Sequence, residues 1–428
     1  MRRPLLVALL LAPCVVQAQP RLTVLTSEDP ALRLGRVTFE GGRTLELTVG
    51  IGSAAHRRPE DPADIVRMLS DRGPNFACDE AAAITGLPRE RICAEDRNGR
   101  VYPVPNYAPT LYGVQLNEAA GTFRVFEALA IKTPDGRPIT GLTNPLPGRT
   151  ETPLDAAGRR LPHDAAAIDA EGLYRAPDGS FWIGEENAPS IVHVGPDGRI
   201  RRRFVPVGTG GELREAGYEI VEALPAILAR RQSNRGIESL TGHPDGSALY
   251  AMVQNPLANP DAAAYRASRN TRLLRFDPAA GRVTGEWVYQ LDDPRTFRLD
   301  PSQRQNDPRI SEMLWLGPDR LLVLERTDRT TKLYEVRLEA ATNILGSRWD
   351  DPATRPTLEQ LNDLAGTGVV AVTKRLVLDT ADHPEVPGKI EGLALMPDGA
   401  LLMVNDDDFG ITGERTRIVL VRGLDLGR

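Results

Sequence analysis

The sequence predicts an all-β chain folded as a single β-propeller with loop and short-helix insertions, and two observations carry that prediction. A phrase recurs four times: Glu171-Gly172-Leu173 with Pro177-Asp178-Gly179, Glu238-Ser239-Leu240 with Pro244-Asp245-Gly246, Glu312-Met313-Leu314 with Pro318-Asp319-Arg320, and Glu391-Gly392-Leu393 with Pro397-Asp398-Gly399. Each Pro-Asp leads into a short apolar run, such as Phe181-Trp182-Ile183 or Leu401-Leu402-Met403-Val404, and most units then carry a second pair of apolar runs. Fixed self-similarity marks a repeat architecture. Four short strands per unit, repeated radially, is the propeller pattern, whereas a solenoid needs tighter and more uniform repeats than these Glu-to-Glu steps of 67, 74 and 79 residues.

Within one unit the phrase encodes a hairpin. Pro sets φ for the turn, Asp bonds its own backbone, and Gly takes the positive φ that closes it. Arg320 replaces that Gly in the third copy, so a different turn is expected there. The runs are apolar at successive positions, which suits strands buried on both faces. Folding each hairpin back brings its opening Glu beside the residues that close the run: Glu185-Glu186-Asn187, Gln254-Asn255, Glu325-Arg326 and Asn405-Asp406-Asp407-Asp408. Repetition then gathers several carboxylates at one level of the molecule.

Taken in order, the chain begins with a segment outside the fold. Arg2 and Arg3, an apolar stretch over 5–12 and Val16-Gln17-Ala18 read as a signal peptide over 1–18, leaving 19–428 as one domain. The apolar run is far shorter than the roughly twenty residues a membrane span needs; Leu11-Ala12-Pro13-Cys14 resembles a lipoprotein box, which leaves lipid anchoring at Cys14 open, although Pro13 fits that box poorly. Export to the periplasm or beyond the cell leaves Cys78 and Cys93 as an even pair in an oxidising compartment, where a disulfide is expected.

Net charge is −6, which argues against a nucleic-acid partner. The 39 Gly and 35 Pro are spread along the chain, as many turns require. Residues 22–50 read as three strands with Gly41-Gly42 as a hairpin turn, and the N-terminal strands are expected to complete the last blade. Residues 50–142 form a degenerate first unit, with the run Ile65-Val66-Arg67-Met68-Leu69 ending in Ser70-Asp71-Arg72-Gly73-Pro74-Asn75. Helices are expected within 212–233 and around 358–364.

The Ser-Asp-Arg-Gly-Pro-Asn phrase, the Glu-Gly-Leu phrase and the Glu-Glu-Asn and Asn-Asp-Asp clusters together resemble the phytase-like family, "esterase-like activity of phytase", over roughly residues 45–425. The resemblance implies an exported bacterial propeller related to calcium-binding phytases. It favours six blades, where the residues themselves show five units. Phosphoester hydrolysis at such a site uses carboxylates to hold hard cations. The expected catalytic residues are Glu171, Glu238, Glu312, Glu391 and Arg72. Expected calcium ligands are Asp71, Glu171, Glu185, Glu186, Glu238, Glu325, Glu391, Asp406 and Asp407. Arg235, Arg309 and Lys389 stand close by to clamp an anionic substrate, with Arg326 at a run end.

The expected substrate is a small anionic ester, bound by a monomer with no membrane span after processing. Phytate fits poorly, since a six-phosphate anion needs a strongly basic pocket. G-x-S-x-G, H-E-x-x-H, Walker and Arg-His-Gly-x-Arg motifs are absent from the sequence. His56, His163, His193, His243 and His383 show no clustered spacing and read as surface residues. Two functions stay open: a calcium-dependent hydrolase of phosphoesters, carboxylic esters or lactones, and a non-catalytic periplasmic propeller that binds an anionic ligand or a protein. Each Glu taken singly also fits a structural ion pair; the set is what points to a cation.

Overall fold

The computed structural model describes residues 20–146 and 150–427; the segment expected to be a signal peptide, with Cys14, lies outside the described residues. Five sheets, each here called a blade, build the body. Blade 1 comprises Ala54–His56, Ile65–Leu69, Thr110–Asn117 and Thr122–Ala130, written from the axis outward. Blade 2 comprises Ala170–Arg175, Phe181–Glu185, Ser190–Val194 and Ile200–Pro206. Blade 3 runs through Ile237–Gly242, Leu249–Val253, Asn270–Asp277 and Arg282–Gln290. Blade 4 follows with Arg309–Gly317, Arg320–Arg326, Thr331–Arg337 and Thr373–Asp379. Blade 5 takes Ile390–Leu395, Leu401–Asn405 and Ile418–Arg422 from the C-terminal region, and Arg21–Leu25 supplies its outer strand. Both ends of the described chain therefore meet in one blade, as expected.

The innermost strands contact one another in the order of blades 1 to 5 and back to 1. One apolar cluster fills each gap between neighbours. Ile183 of blade 2 packs with Leu69 and Leu111 of blade 1, and Val66 and Met68 of blade 1 pack with Leu402 and Val404 of blade 5. The other three gaps are filled in the same way. The ring thus closes on five sheets, and the sixth blade favoured by the family resemblance has no counterpart among the described residues. Small residues allow the inner strands to approach. A Cβ at Gly172 would stand 2.4 Å from the backbone nitrogen of Leu240 in the next blade.

The repeated turns form as their residues dictate. Gly179, Gly246 and Gly399 adopt positive φ of 77–85°. In blade 4 the turn is tighter: Gly317 pairs with Arg320 across Pro318-Asp319, and Asp319 itself takes φ +53°.

Two insertions differ from expectation. Residues within 212–233 do not form an α-helix. Glu219–Leu224 is a fifth strand of blade 2, parallel to Ile200–Pro206, and Ala226–Arg230 is a 3₁₀ turn. β-Branched Ile220 and Val221 favour that outcome. Around 358–364 only the 3₁₀ turn Leu358–Gln360 forms.

A small cap lies beside blades 1 and 5. It holds the hairpin Arg33–Thr38 and Thr44–Thr48, the strands Phe76–Ala77, Arg100–Tyr102 and Pro153–Asp155, and the short helices Ala81–Thr85 and Arg89–Ile92. Phe39, Leu47, Phe76, Val101 and Leu154 form its core around the Cys78–Cys93 disulfide, whose Cα atoms are 6.0 Å apart.

Candidate active site at the axial mouth

The opening Glu of each repeat meets an irregularity in the ladder. Blade 2 pairs Ala170 with Glu185 and next Leu173 with Ile183; blade 3 pairs Ile237 with Val253 and next Ser239 with Met252. Blade 5 pairs Ile390 with Asn405 and next Gly392 with Val404. Glu171, Glu238 and Glu391 therefore sit at β-bulges, which leave a residue unpaired and re-aim its side chain. All three line a cleft of about 770 Å³ at the mouth of the channel. Asp71, Glu186, Gln254, Arg326 and Asp406, from the ends of the second strands, join them there.

Blade 4 is out of step by one residue. Its ladder pairs Ile310 with Glu325 and next Glu312 with Leu324, so the bulge falls on Ser311. Successive side chains on a strand point to opposite faces. Ser311 consequently takes the ring position, donating to Glu238 Oε1 and accepting from Arg326 Nε at 2.8 Å. Glu312, expected in the ring, does not line the cleft. It is buried, with the backbone N–H of Met313 donating to it at 2.9 Å.

Three further expected ligands belong to the frame rather than the mouth. Glu185 is fully buried and accepts from Arg203 at 2.6 Å, from the N–H groups of Asp169, Asn187 and Ala188, and from Ser190 Oγ. Glu325 accepts from Tyr289 Oη at 2.8 Å, Lys374 Nζ at 2.8 Å and the N–H of Asp292. Asp407 turns toward the cap and accepts from Thr48 Oγ1 at 3.1 Å and Thr416 Oγ1 at 3.3 Å. Their donors occupy the oxygens a cation would need.

Asp169, which the sequence reading missed, is central. It lies two residues ahead of Glu171, outside the repeated phrase, and is 2 % exposed. Arg72 Nε reaches its Oδ2 at 3.2 Å and also approaches Glu151 at 3.5 Å, so Arg72 backs the acids from behind. The chain thereby brings together two overlapping groups of carboxylates, Asp71–Asp169–Glu171 and Glu171–Glu186–Glu238, with ligand oxygens in each group within 4.8 Å of one another.

Burial, then the neighbouring Glu238, Asp169 and Asp71, pushes the Glu171 carboxyl well above the usual range. Asp71 is pushed up by burial and by Asp406 and Asp169, and Glu186 by burial and Glu238. Mutual repulsion among buried carboxylates is the arrangement that a bound cation relieves. The donors are oxygens, with no His or Cys in either group, a set suited to a hard cation.

Opposite the acids, blades 4 and 5 present a basic arc. Arg326 pairs with Glu391, Arg309 with Asp328, and Lys389 with Asp406 at 3.2 Å and with Asp408. On the acid side Arg235 pairs with Glu186 at 3.2 Å. Burial is the largest influence on the Asp406 carboxyl and raises it, but Lys389, the Asp408 N–H and Arg326 together hold the group below its ordinary value. Asn234, Lys389, Asp408 and Phe409, all lining the cleft, have φ between +48° and +54°, the strained region that concentrates at functional sites. Among the described residues no histidine lines the cleft; His163 is exposed as expected, whereas His56, His193, His243 and His383, read as surface residues, are half-buried.

Fold and mouth define a closed five-sheet propeller with an acid-and-base cleft on its axis. The chain belongs to the phytase-like family, whose model, "Esterase-like activity of phytase", matches residues 95–409. An "Uncharacterized secreted protein" of Arthroderma benhamiae is 26% identical over 237 residues, 47% of this chain and 45% of that protein. The chain thus spans about half the length of this relative. Among solved structures, regucalcin of Agrobacterium tumefaciens is similar at 15% identity and a TM-score of 0.31, covering 91% of this chain and 93% of its own. Hydrazine synthase of Kuenenia stuttgartiensis is similar at 11% identity and a TM-score of 0.35, covering 84% and 94%. At such scores these likenesses support no conclusion about this chain. Among the described residues no helix is long and apolar enough to cross a membrane.

Proposed function

We propose that this chain is an exported, calcium-dependent hydrolase of small anionic esters, acting at the axial mouth. The observation that carries the reading is the division of that mouth, with buried carboxylates of blades 1 to 3 facing Arg309, Arg326 and Lys389 of blades 4 and 5. The acids are placed to hold calcium, and the basic arc to orient the anionic end of the substrate. Bound calcium supplies a Lewis acid for the ester oxygen and lowers the pKa of its water. Family membership supports ester hydrolysis, while fold alone does not decide it.

The same geometry favours a monoester, diester or lactone over phytate. Arg235, Arg309, Arg326 and Lys389 each already have a carboxylate partner, so a six-phosphate anion gains little positive charge here. Export is supported by the Cys78–Cys93 disulfide and by the secreted relative.

The test is a hydrolysis screen on the chain lacking residues 1–18. It uses p-nitrophenyl phosphate, bis(p-nitrophenyl) phosphate, p-nitrophenyl acetate and a simple lactone, each in EDTA and in calcium. Calcium-dependent turnover of one class supports the proposal. Calcium binding with no turnover of any class instead makes the chain a ligand-binding propeller.

A further inference from the structure

We propose that the protein binds a small apolar amino acid in a second cavity, outside the mouth, with its ammonium on Asp407 and its carboxylate on Arg33 and Arg415. The inference does not depend on the hydrolase reading.

The cavity, of about 390 Å³, lies between the cap hairpin and blade 5, with Leu32, Leu47, Thr48, Asp407 and Thr416 in its lining. That volume suits a small molecule. The run Asp406-Asp407-Asp408 is divided between two cavities: Asp406 and Asp408 line the mouth, and Asp407 lines this one. Lys389 pairs with Asp406 and with Asp408. Asp407 is 1 % exposed, yet among the described residues no lysine, arginine or histidine lies within 4.0 Å of its carboxylate oxygens. A charge buried this far is costly unless a counter-charge meets it.

The groups around Asp407 fit an ammonium better than a metal ion. A carboxylate offers about four lone-pair sites, and Thr48 Oγ1, Thr416 Oγ1 and the Phe409 N–H occupy three of them. Each threonine hydroxyl gives its one proton to Asp407 and receives no hydrogen bond among the described residues, so its lone pairs stay open. The remaining carboxylate site and the two hydroxyl oxygens match in number the three donors of a primary ammonium.

The rim supplies the opposite charge. Of the other charged lining residues, Asp29 accepts from the N–H groups of Ala31 and Val125, and Arg36 pairs with Glu46 at 2.6 Å. Among the described residues Arg33 and Arg415 have no carboxylate within 4.0 Å, the exposed Glu28 included. Two acids and two guanidiniums are therefore uncommitted, a bipolar set that favours a zwitterion over a simple anion or amine. The guanidinium fork matches a carboxylate, and Leu32, Leu47 and Val49 offer an apolar lining for a side chain.

The experiment is calorimetric titration of the chain lacking residues 1–18 with L-leucine, with isoamylamine, which lacks leucine's carboxylate, and with isocaproate, which lacks its amine. Leucine binds at least tenfold more tightly than either fragment. Asp407→Asn weakens leucine and isoamylamine by at least tenfold and leaves isocaproate unchanged. Replacing the exposed pair, Arg33→Ala with Arg415→Ala, weakens leucine and isocaproate and leaves isoamylamine unchanged. If Asp407→Asn fails to fold, Thr48→Val, which removes one hydroxyl acceptor, tests the ammonium end. No leucine binding at millimolar concentration overturns the proposal, as does isoamylamine binding as tightly as leucine, or leucine affinity unchanged in these variants. Failure of the ester screen leaves this site standing, and failure of leucine binding leaves the hydrolase reading standing.

Discussion

Replacing Glu185 by Gln separates a structural carboxylate from a ligand. Glu185 and Arg203 are both fully buried, 2.6 Å apart. The carboxylate also accepts three backbone N–H groups at 2.8–3.1 Å and Ser190 Oγ at 3.1 Å. Gln keeps the shape but offers one acceptor and turns an NH₂ toward groups that themselves donate. It also leaves the Arg203 guanidinium without its counter-charge. Breaking a buried pair from one side costs about 3–5 kcal/mol. For a chain of this size that is a fall of roughly 3–6 °C in apparent melting temperature. Arg203→Met should cost a similar amount, about 3–5 kcal/mol, because it leaves the Glu185 charge buried without its counter-ion and the Ala167 and Ala188 carbonyls without their Arg203 donor. Removing both charges together with Glu185→Leu and Arg203→Met should not recover the loss, because the backbone N–H groups of Asp169, Asn187 and Ala188 are then buried without an acceptor. Thermal melting of the four proteins, with calcium uptake measured below the transition, is the assay. A Glu185→Gln protein that melts like the wild type and loses calcium would refute the structural assignment.

Other outcomes follow from the same geometry. Glu312→Gln should leave calcium stoichiometry unchanged and keep or raise the melting temperature, since the carboxyl is buried off the cleft and held well above its ordinary value chiefly by burial; loss of calcium on titration would return Glu312 to the ring. His56 is held at about 4, first by burial, below its unfolded value of about 6.5. The unfolded chain therefore binds the extra proton first. The His56 contribution is fully present above about pH 6.5 and is lost as pH falls toward 4, on the order of 1–3 kcal/mol. His56→Phe should flatten melting temperature against pH in that window, and an unchanged slope would count against it. Reducing the Cys78–Cys93 disulfide, whose partners are 15 residues apart, should cost about 3 kcal/mol on the chain-entropy model, seen as a lower melting temperature in dithiothreitol.

Much of this was legible in the residues because the repeated phrase encodes turn chemistry and strand burial together. The hairpins, the five units, the closing N-terminal strand and the disulfide all came from local signals. Convergence of Glu171, Glu238 and Glu391 followed from their common place in the phrase. Register did not. Side chains alternate with period two, so a shift of one residue moves a carboxylate from the cleft into the frame. Glu185 against Glu186 and Glu325 against Arg326 were divided by that rule, and Ser311 displaced Glu312 because the bulge of blade 4 falls one residue earlier. Asp169 was missed because the other repeats carry no acid two residues before the ring position: Arg309 and Lys389 stand there instead. That substitution is the sequence signal for the acid and basic halves of the mouth. The strand at Glu219–Leu224 was misread because a short apolar run does not by itself distinguish helix from strand.

The central claim is that the axial carboxylates hold calcium for ester hydrolysis. The most direct measurement compares turnover of the best ester from the screen by wild type and Glu171→Gln, each stripped with EDTA and then supplied with calcium. Turnover restored by calcium in the wild type and absent in a Glu171→Gln protein that melts normally without metal is the predicted result. Hydrolysis that survives EDTA, or a Glu171→Gln protein as active as the wild type, would contradict the account.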